Sequence, residues 1–329
     1  MNKNSKTILV AALVLVFFGL GIYFITKNKS PVVNEDNTVS ASISGCYVAK
    51  LGQDIYTLDI ESENGGNVSG MLAYNNYQKD SSSGSFQGIF TEGKLLGDYS
   101  FDSEGMHSDR QVIFKQEGDN FIQGFGPTIT KDGKESFANL NEITYDPKST
   151  FVKNSACTEH FTDKDNTFSF DYNSFFSASV GDKSVNMDWR MDAAEAGVRL
   201  AQVFVPRGYM SGTNFSDAEL IVGRSTDPIA IKKCSSNIRN DEKRVGEANI
   251  GGHSFSKFTF TGAAAGNFYE TTSYRGIVDG DCYAIEYTIH STNLGNYSPE
   301  QGIKEFDKSK ITNDMENIVK SFKFLINSD

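Results

Sequence analysis

Short apolar runs separated by glycine turns place the strongest constraint on this chain. Between residues 44 and 146 turn dipeptides recur at short intervals: Asn64-Gly65, Ser83-Gly84, Glu92-Gly93, Glu104-Gly105, Glu117-Gly118 and Asp132-Gly133. Between them apolar and polar residues alternate. In 54–61, Tyr56, Leu58 and Ile60 share one face, and Thr57, Asp59 and Glu61 share the other. A period of two marks a half-buried strand. Runs at 68–74, 86–90, 95–101, 111–115 and 121–125 follow the same rule, and the region carries no useful helical period. Hairpins in series with short links make an antiparallel meander. Glycines inside apolar stretches, as in Val68-Ser69-Gly70, Phe86-Gln87-Gly88, Leu95-Leu96-Gly97 and Ile122-Gln123-Gly124, weaken a flat strand but permit the coiling that closes a small sheet. The expectation for 44–146 is a small antiparallel barrel of about eight strands.

These apolar-x-Gly segments resemble the calycin-like barrels of the lipocalin and avidin type. The Gly-x-Trp entry motif of lipocalins is absent, since the only tryptophan is Trp189. An eight-stranded barrel either holds one small ligand or is filled by its own side chains. The filled barrel is expected, with Tyr56, Leu58, Ile60, Leu72 and Phe114 pointing inward.

Residues 158–329 mix strands and helices, after a linker at 147–157. Amphipathic strands are predicted near 167–172 and 198–205, with another at 218–223, and a run of three at 255–261, 267–278 and 282–290. A short helix is predicted from Asp227 or Pro228 to Cys234. The chain closes with a helix that Thr312 caps, Asp314 and Glu316 suiting its positive end. Its apolar stripe is Met315, Ile318, Val319 and Phe322. The opening Phe168-Ser169-Phe170-Asp171-Tyr172 and the closing Ile318-Val319-Lys320-Ser321-Phe322-Lys323-Phe324 are similar to those of the PsbP and Mog1-like α/β/α sandwich. That resemblance implies a binding or assembly module and carries over no catalytic residues.

Ahead of both regions, 7–26 is a stretch of twenty residues without charge. As a helix it spans about 30 Å, the thickness of a bilayer core. An uncleaved anchor is preferred over two alternatives: a cleaved signal peptide, whose apolar region is usually shorter, and a lipoprotein, whose lipobox-like Ile43-Ser44-Gly45-Cys46 lies about twenty residues beyond the run. The fold class expected is therefore a single N-terminal transmembrane helix, an all-β meander barrel, and an α+β domain with an antiparallel sheet and C-terminal helix. Residues 27–43 are polar and read as a stalk. Lysines flank the span almost equally, so charge does not orient it.

Cysteine does. Four cysteines, Cys46, Cys157, Cys234 and Cys282, suit an oxidising compartment. The amino terminus is read as inside and the bulk as extracytoplasmic. Three pairings are possible; a closed meander brings its first and last strands together, which favours Cys46–Cys157 and leaves Cys234–Cys282. The net charge of -11 makes nucleic acid an unsuitable partner.

Chemical motifs are few in this chain. Cys157-Thr158-Glu159-His160 has half of a metal-site spacing and no second half. Asp163-Lys164-Asp165-Asn166 opens like a calcium loop, but Phe168 and Ser174 stand where glycine and glutamate are needed. His107, His160, His253 and His290 have no partners at metal-ligand spacing, and Glu286 shares a strand face with His290 about 13 Å away. No nucleophile elbow, phosphate loop or zinc-protease motif occurs. No catalytic, cofactor-binding or metal residues are assigned. The small-residue loop Gly262-Ala263-Ala264-Ala265-Gly266 lets a backbone approach a ligand, so the candidate binding surface is Phe255, Phe258, Phe260, Gly262, Gly266 and Phe268. The function expected is a membrane-anchored extracytoplasmic protein, tethered through 7–26, that binds a protein or small molecule and catalyses nothing. The alternative is a cell-envelope hydrolase working through a carboxylate pair.

Overall fold

The computed structural model describes residues 42–103, 106–182, 184–185, 187–236 and 240–325. Ten strands come first: β1 (Gly45–Leu51), β2 (Asp54–Asn64), β3 (Asn67–Asn75), β4 (Ser82–Thr91), β5 (Lys94–Ser103), β6 (Met106–Glu117), β7 (Asn120–Phe125), β8 (Thr128–Lys131), β9 (Lys134–Phe137) and β10 (Thr144–Asn154). Strands β1 to β7 pair in sequence, β7 pairs with β10, and β10 returns to β1, all antiparallel. The β5–β6 pairing completes an eight-stranded closed barrel. The β8–β9 hairpin stands outside the ring and joins it by a short parallel contact with β6. The residues read as a linker, 147–157, include most of β10.

Side chains fill the barrel. Leu58, Leu72, Phe86, Leu95, Tyr99, Phe114, Phe121 and Phe151 are all fully buried in one cluster. Phe114 meets Phe86 and Phe151 edge-on. Ile60 belongs to the same core, while Tyr56 sits half-buried at its rim, its hydroxyl donating to Asn76. Gly97 shows why a glycine was required: a Cβ there would stand 2.6 Å from the Phe86 ring.

The second half adds β11 (Thr158–Thr162), β12 (Phe168–Asn173), β13 (Ser177–Val180), β14 (Val198–Val205), β15 (Phe215–Ser225), helix α1 (Pro228–Lys233), β16 (Lys243–Ile250), β17 (His253–Ala264), β18 (Asn267–Val278), β19 (Asp281–Thr292), helix α2 (Lys308–Ser321) and β20 (Lys323–Phe324). Seven of these strands make one antiparallel sheet in the order β13-β14-β15-β19-β18-β17-β16; β11, β12 and β20 make a small one. Helix α2 lays Ile311, Met315, Ile318 and Val319 on one face of the large sheet. It begins one turn earlier than Thr312, because the Asp307 carboxylate accepts the Ser309 and Lys310 N–H groups and caps it there. Asp227 caps α1 in the same way.

Residues 43–329 form one compact unit. Thr57, alternating with core residues and expected to face water, is fully buried instead. Its hydroxyl donates to the Ser174 carbonyl, and Asn75 donates to the carbonyls of Ser174 and Phe176. The outer face of β2 and β3 is thus covered by the chain around 173–176. Cys46–Cys157 and Cys234–Cys282 are bonded, the pairing expected. Lys50 and Glu159 make an ion pair beside the first of them.

One element of the expected fold class is corrected. The transmembrane helix expected over 7–26 lies outside the described residues, and no helix among the described residues is long and apolar enough to cross a membrane. Among the described residues the fold class is a mostly β chain with a closed eight-stranded barrel.

Candidate functional site

Strand alternation divides the large sheet into two faces. One carries Val222, Ile285, Tyr287, Ile289 and Tyr274, and α2 covers it. Glu316 of α2, read in the sequence as a helix-end charge, points into this layer. It accepts hydrogen bonds from Tyr274, Tyr287 and Lys257. Burial alone would raise its carboxyl; those donors and the lysine charge outweigh it and hold the carboxyl below the usual range.

Glu219, Ile221, Glu286, Thr288, His290, Tyr269, Thr271 and Phe258 belong to the opposite face. Part of it is covered by the segment around 188–196. Trp189 is fully buried, and a Cβ at Gly223 would come within 1.8 Å of the Trp189 carbonyl oxygen. The indole N–H donates to the Glu195 carbonyl, and Arg190 pairs with the Glu195 carboxylate at 2.9 Å. Next to them Arg275 and Glu242 form a fully buried ion pair, the guanidinium 3.8 Å above the centre of the Phe258 ring.

Glu286 joins this layer to open space. Its Oε1 accepts the Met191 N–H at 3.2 Å and its Oε2 accepts the Ser273 hydroxyl at 3.4 Å. Burial pushes its carboxyl up to about 7, against the pull of Arg275, the Met191 N–H and Arg190. It lines a cleft of about 430 Å³ with Arg190, Arg199, Asp217, Glu219 and His290. That is within the size range of small-molecule sites. Burial also raises the Glu219 carboxyl, with Arg199 opposing it. The His290 ring sits between Asp217 at 2.9 Å and Asn267 at 2.9 Å and stacks on Tyr269.

The six residues of the expected binding surface do not converge. Phe255 lies on the helix-covered face and stacks on Phe324 in the core. Phe258 is buried under Arg275, and Phe260 is buried as well. Gly262 and Phe268 line another, open depression of about 760 Å³ near the start of α2, beside Leu294 and Phe306, which meets the Glu286 cleft at Tyr269. Gly266 takes a positive φ in the β17–β18 turn and packs on Asn296. Alternation along β17 already separates Phe258 and Phe260 from Phe255, and the β17–β18 register puts Phe268 on the Phe255 side.

Residues with possible metal chemistry are otherwise engaged. Cys157 is in a disulfide, Glu159 pairs with Lys50, and His160 pairs with Asp171. Asp163 accepts from Thr167 and from the Asp165 N–H, which makes the calcium-like segment a turn before β12. Among the described residues no three histidine, cysteine or carboxylate side chains are grouped to hold a metal ion.

Sequence reasoning missed Glu219, Tyr269 and Arg190 and saw Glu286 only as a neighbour of His290. One signal was present: an acid in the middle of Cys282-Tyr283-Ala284-Ile285-Glu286-Tyr287, a stretch otherwise suited to burial. No protein family matches the chain, and no curated protein matches it.

Proposed function

We propose that this chain is an extracytoplasmic binding protein whose ligand site is the cleft around Glu286. The observation that carries this reading is a cleft floored by a buried, raised carboxyl and framed by charged and aromatic side chains on a sheet face that α2 leaves uncovered. The packed barrel supports it, because Phe86, Phe114 and Phe151 occupy the space a calycin-type ligand would need. The resemblance of the first half to calycin-like barrels and of the second to PsbP and Mog1-like domains points the same way, to binding or assembly. Two disulfides support an oxidising location. A fragment library screened by NMR on the full chain tests the reading. Binders should shift Tyr269, Glu286 and His290. Binders that shift only Phe86 and Phe114 would move the site into the barrel and overturn it.

One observation favours a second reading, a hydrolase of envelope material. Glu219 and Glu286 are diagonal neighbours on β15 and β19, about 7–8 Å apart at the backbone, and both carboxyls are raised. A protonated acid beside a second carboxyl is the arrangement for acid–base hydrolysis. Turnover of cell-wall glycan that Glu286→Gln abolishes, with binding kept, would establish this second reading in place of the first.

A further inference from the structure

A second cleft lies on the same side of the sheet. It measures about 520 Å³ and runs between the sheet and the barrel, lined by Phe204, Ser177, Arg207 and Asp217 on one side and by Asn75, Ser82 and Asp102 on the other. Asp217 lines both clefts. Phe204 of the second is the direct cross-strand partner of Glu219 in the first. The two depressions therefore adjoin at Asp217 on one sheet face, and together they form a groove over β18, β19, β15, β14 and β13 that ends against the barrel wall. Four strand spacings make it about 20 Å long.

Its chemistry is specific. Two aromatic rings stand open along it, Phe204 at 39 % exposure and Tyr269 at 36 %. Its carboxylates outnumber its arginines, which disfavours a polyanion. Three of the acids have a polar side chain directly beside them. Asp217 faces His290 at 2.9 Å, Glu219 faces Arg199 at 3.9 Å, and Asp102 faces His107 at 3.2 Å. Hydroxyls and an amide line the barrel end. A groove of paired donors and acceptors with separated aromatic faces suits a long neutral chain. Each hydroxyl of such a chain donates to a carboxylate or accepts from a guanidinium, and its C–H faces lie on the rings.

We propose that this groove binds a linear neutral oligosaccharide, held by Phe204 and Tyr269 and by the carboxylates and arginines between them. The proposal rests on the reading of the Glu286 cleft as a ligand site and names what occupies it. It also gives a reason for the barrel to be fixed against the sheet, since the barrel supplies one end of the groove.

The test is titration calorimetry and NMR on the full chain with three probes: chitohexaose, cellohexaose and hexalysine. Expected is binding of one hexasaccharide that changes little between low and high salt. Tyr269→Ala and Phe204→Ala should each weaken it by about tenfold. Phe125→Ala, an exposed ring on the barrel, should leave it unchanged. Binding of neither hexasaccharide, or binding untouched by both ring variants, overturns the proposal. Hexalysine shifting Tyr269 and Glu286 in a salt-dependent way while the sugars do not also overturns it, but leaves the cleft as a binding site. The earlier reading fails separately, when no fragment or probe shifts these residues.

Discussion

Gly208 lies directly against Ser83: a Cβ built on the glycine would stand 1.8 Å from the Ser83 carbonyl oxygen. The contact joins the turn after β14 to strand β4 of the barrel, backbone to backbone. The Ser83 hydroxyl, 2.4 Å from that Cβ, can rotate, but the nearest atom is backbone and cannot. Gly208→Ala should therefore cost about 1–3 kcal/mol, as overpacking does. Because residues 43–329 form one unit, thermal unfolding of this variant should remain a single transition at lower temperature. Two separated transitions would show that barrel and sheet unfold independently.

The barrel core supplies a second prediction. Phe114 touches Phe86, Phe121 and Phe151 and is fully buried. Phe114→Ala should cost about 3–5 kcal/mol in chemical denaturation. Tyr56, at the rim, should cost clearly less. Equal losses would mean that the rim is packed as tightly as the centre.

The raised carboxyl of Glu286 makes stability depend on pH. Its folded value of about 7 stands above the usual 4.5, so the folded state holds a proton that the unfolded chain has lost. Below about 4.5 this contribution is complete. Between about 4.5 and 7 it is lost as pH rises, by roughly 1 kcal/mol per pH unit at most. Glu286→Gln keeps an acceptor for the Met191 N–H and removes the charge. The variant should be more stable than the parent at pH 8 and similar at pH 4. Glu316 acts with opposite sign, since its carboxyl is lowered; its contribution is lost on acidification. Urea midpoints across this range, for Glu286→Gln and Glu316→Gln, separate the two.

Each disulfide closes a long loop, of 111 and 48 residues in sequence separation. Replacing both cysteines of either pair by serine should cost about 2–5 kcal/mol. The melting temperature of the parent should fall on addition of dithiothreitol. A parent unaffected by reductant at its melting point would show that both bonds are dispensable.

The barrel was legible because its signals are local. The alternation of Tyr56, Leu58 and Ile60 and the glycines at 70, 88 and 97 act within a few residues. Ring closure through β10, past the β8–β9 hairpin, is a pairing across the chain that no local pattern contains. Thr57 shows the same limit: its place on a polar face is right by period, yet that face is buried by residues more than a hundred positions away. In the sheet, alternation along β17 by itself puts Phe255 and Phe258, three residues apart, on opposite faces; which of the two faces lies under α2 is a long-range fact that no local pattern contains. Glu316 reads correctly as a helical acid, and only the tyrosines opposite it reveal its burial. The segment around Trp189 has no period at all, so its part in walling the cleft had no sequence signature.

The Cys46–Cys157 bond encloses nearly all of the barrel's chain. Any single cut by a protease between those two cysteines leaves both pieces covalently joined. The exposed β8–β9 hairpin, whose first strand is open along its whole length, lies within that span. A molecule nicked there would run as one band on a non-reducing gel and as two after reduction. Such a molecule keeps its parts together after damage.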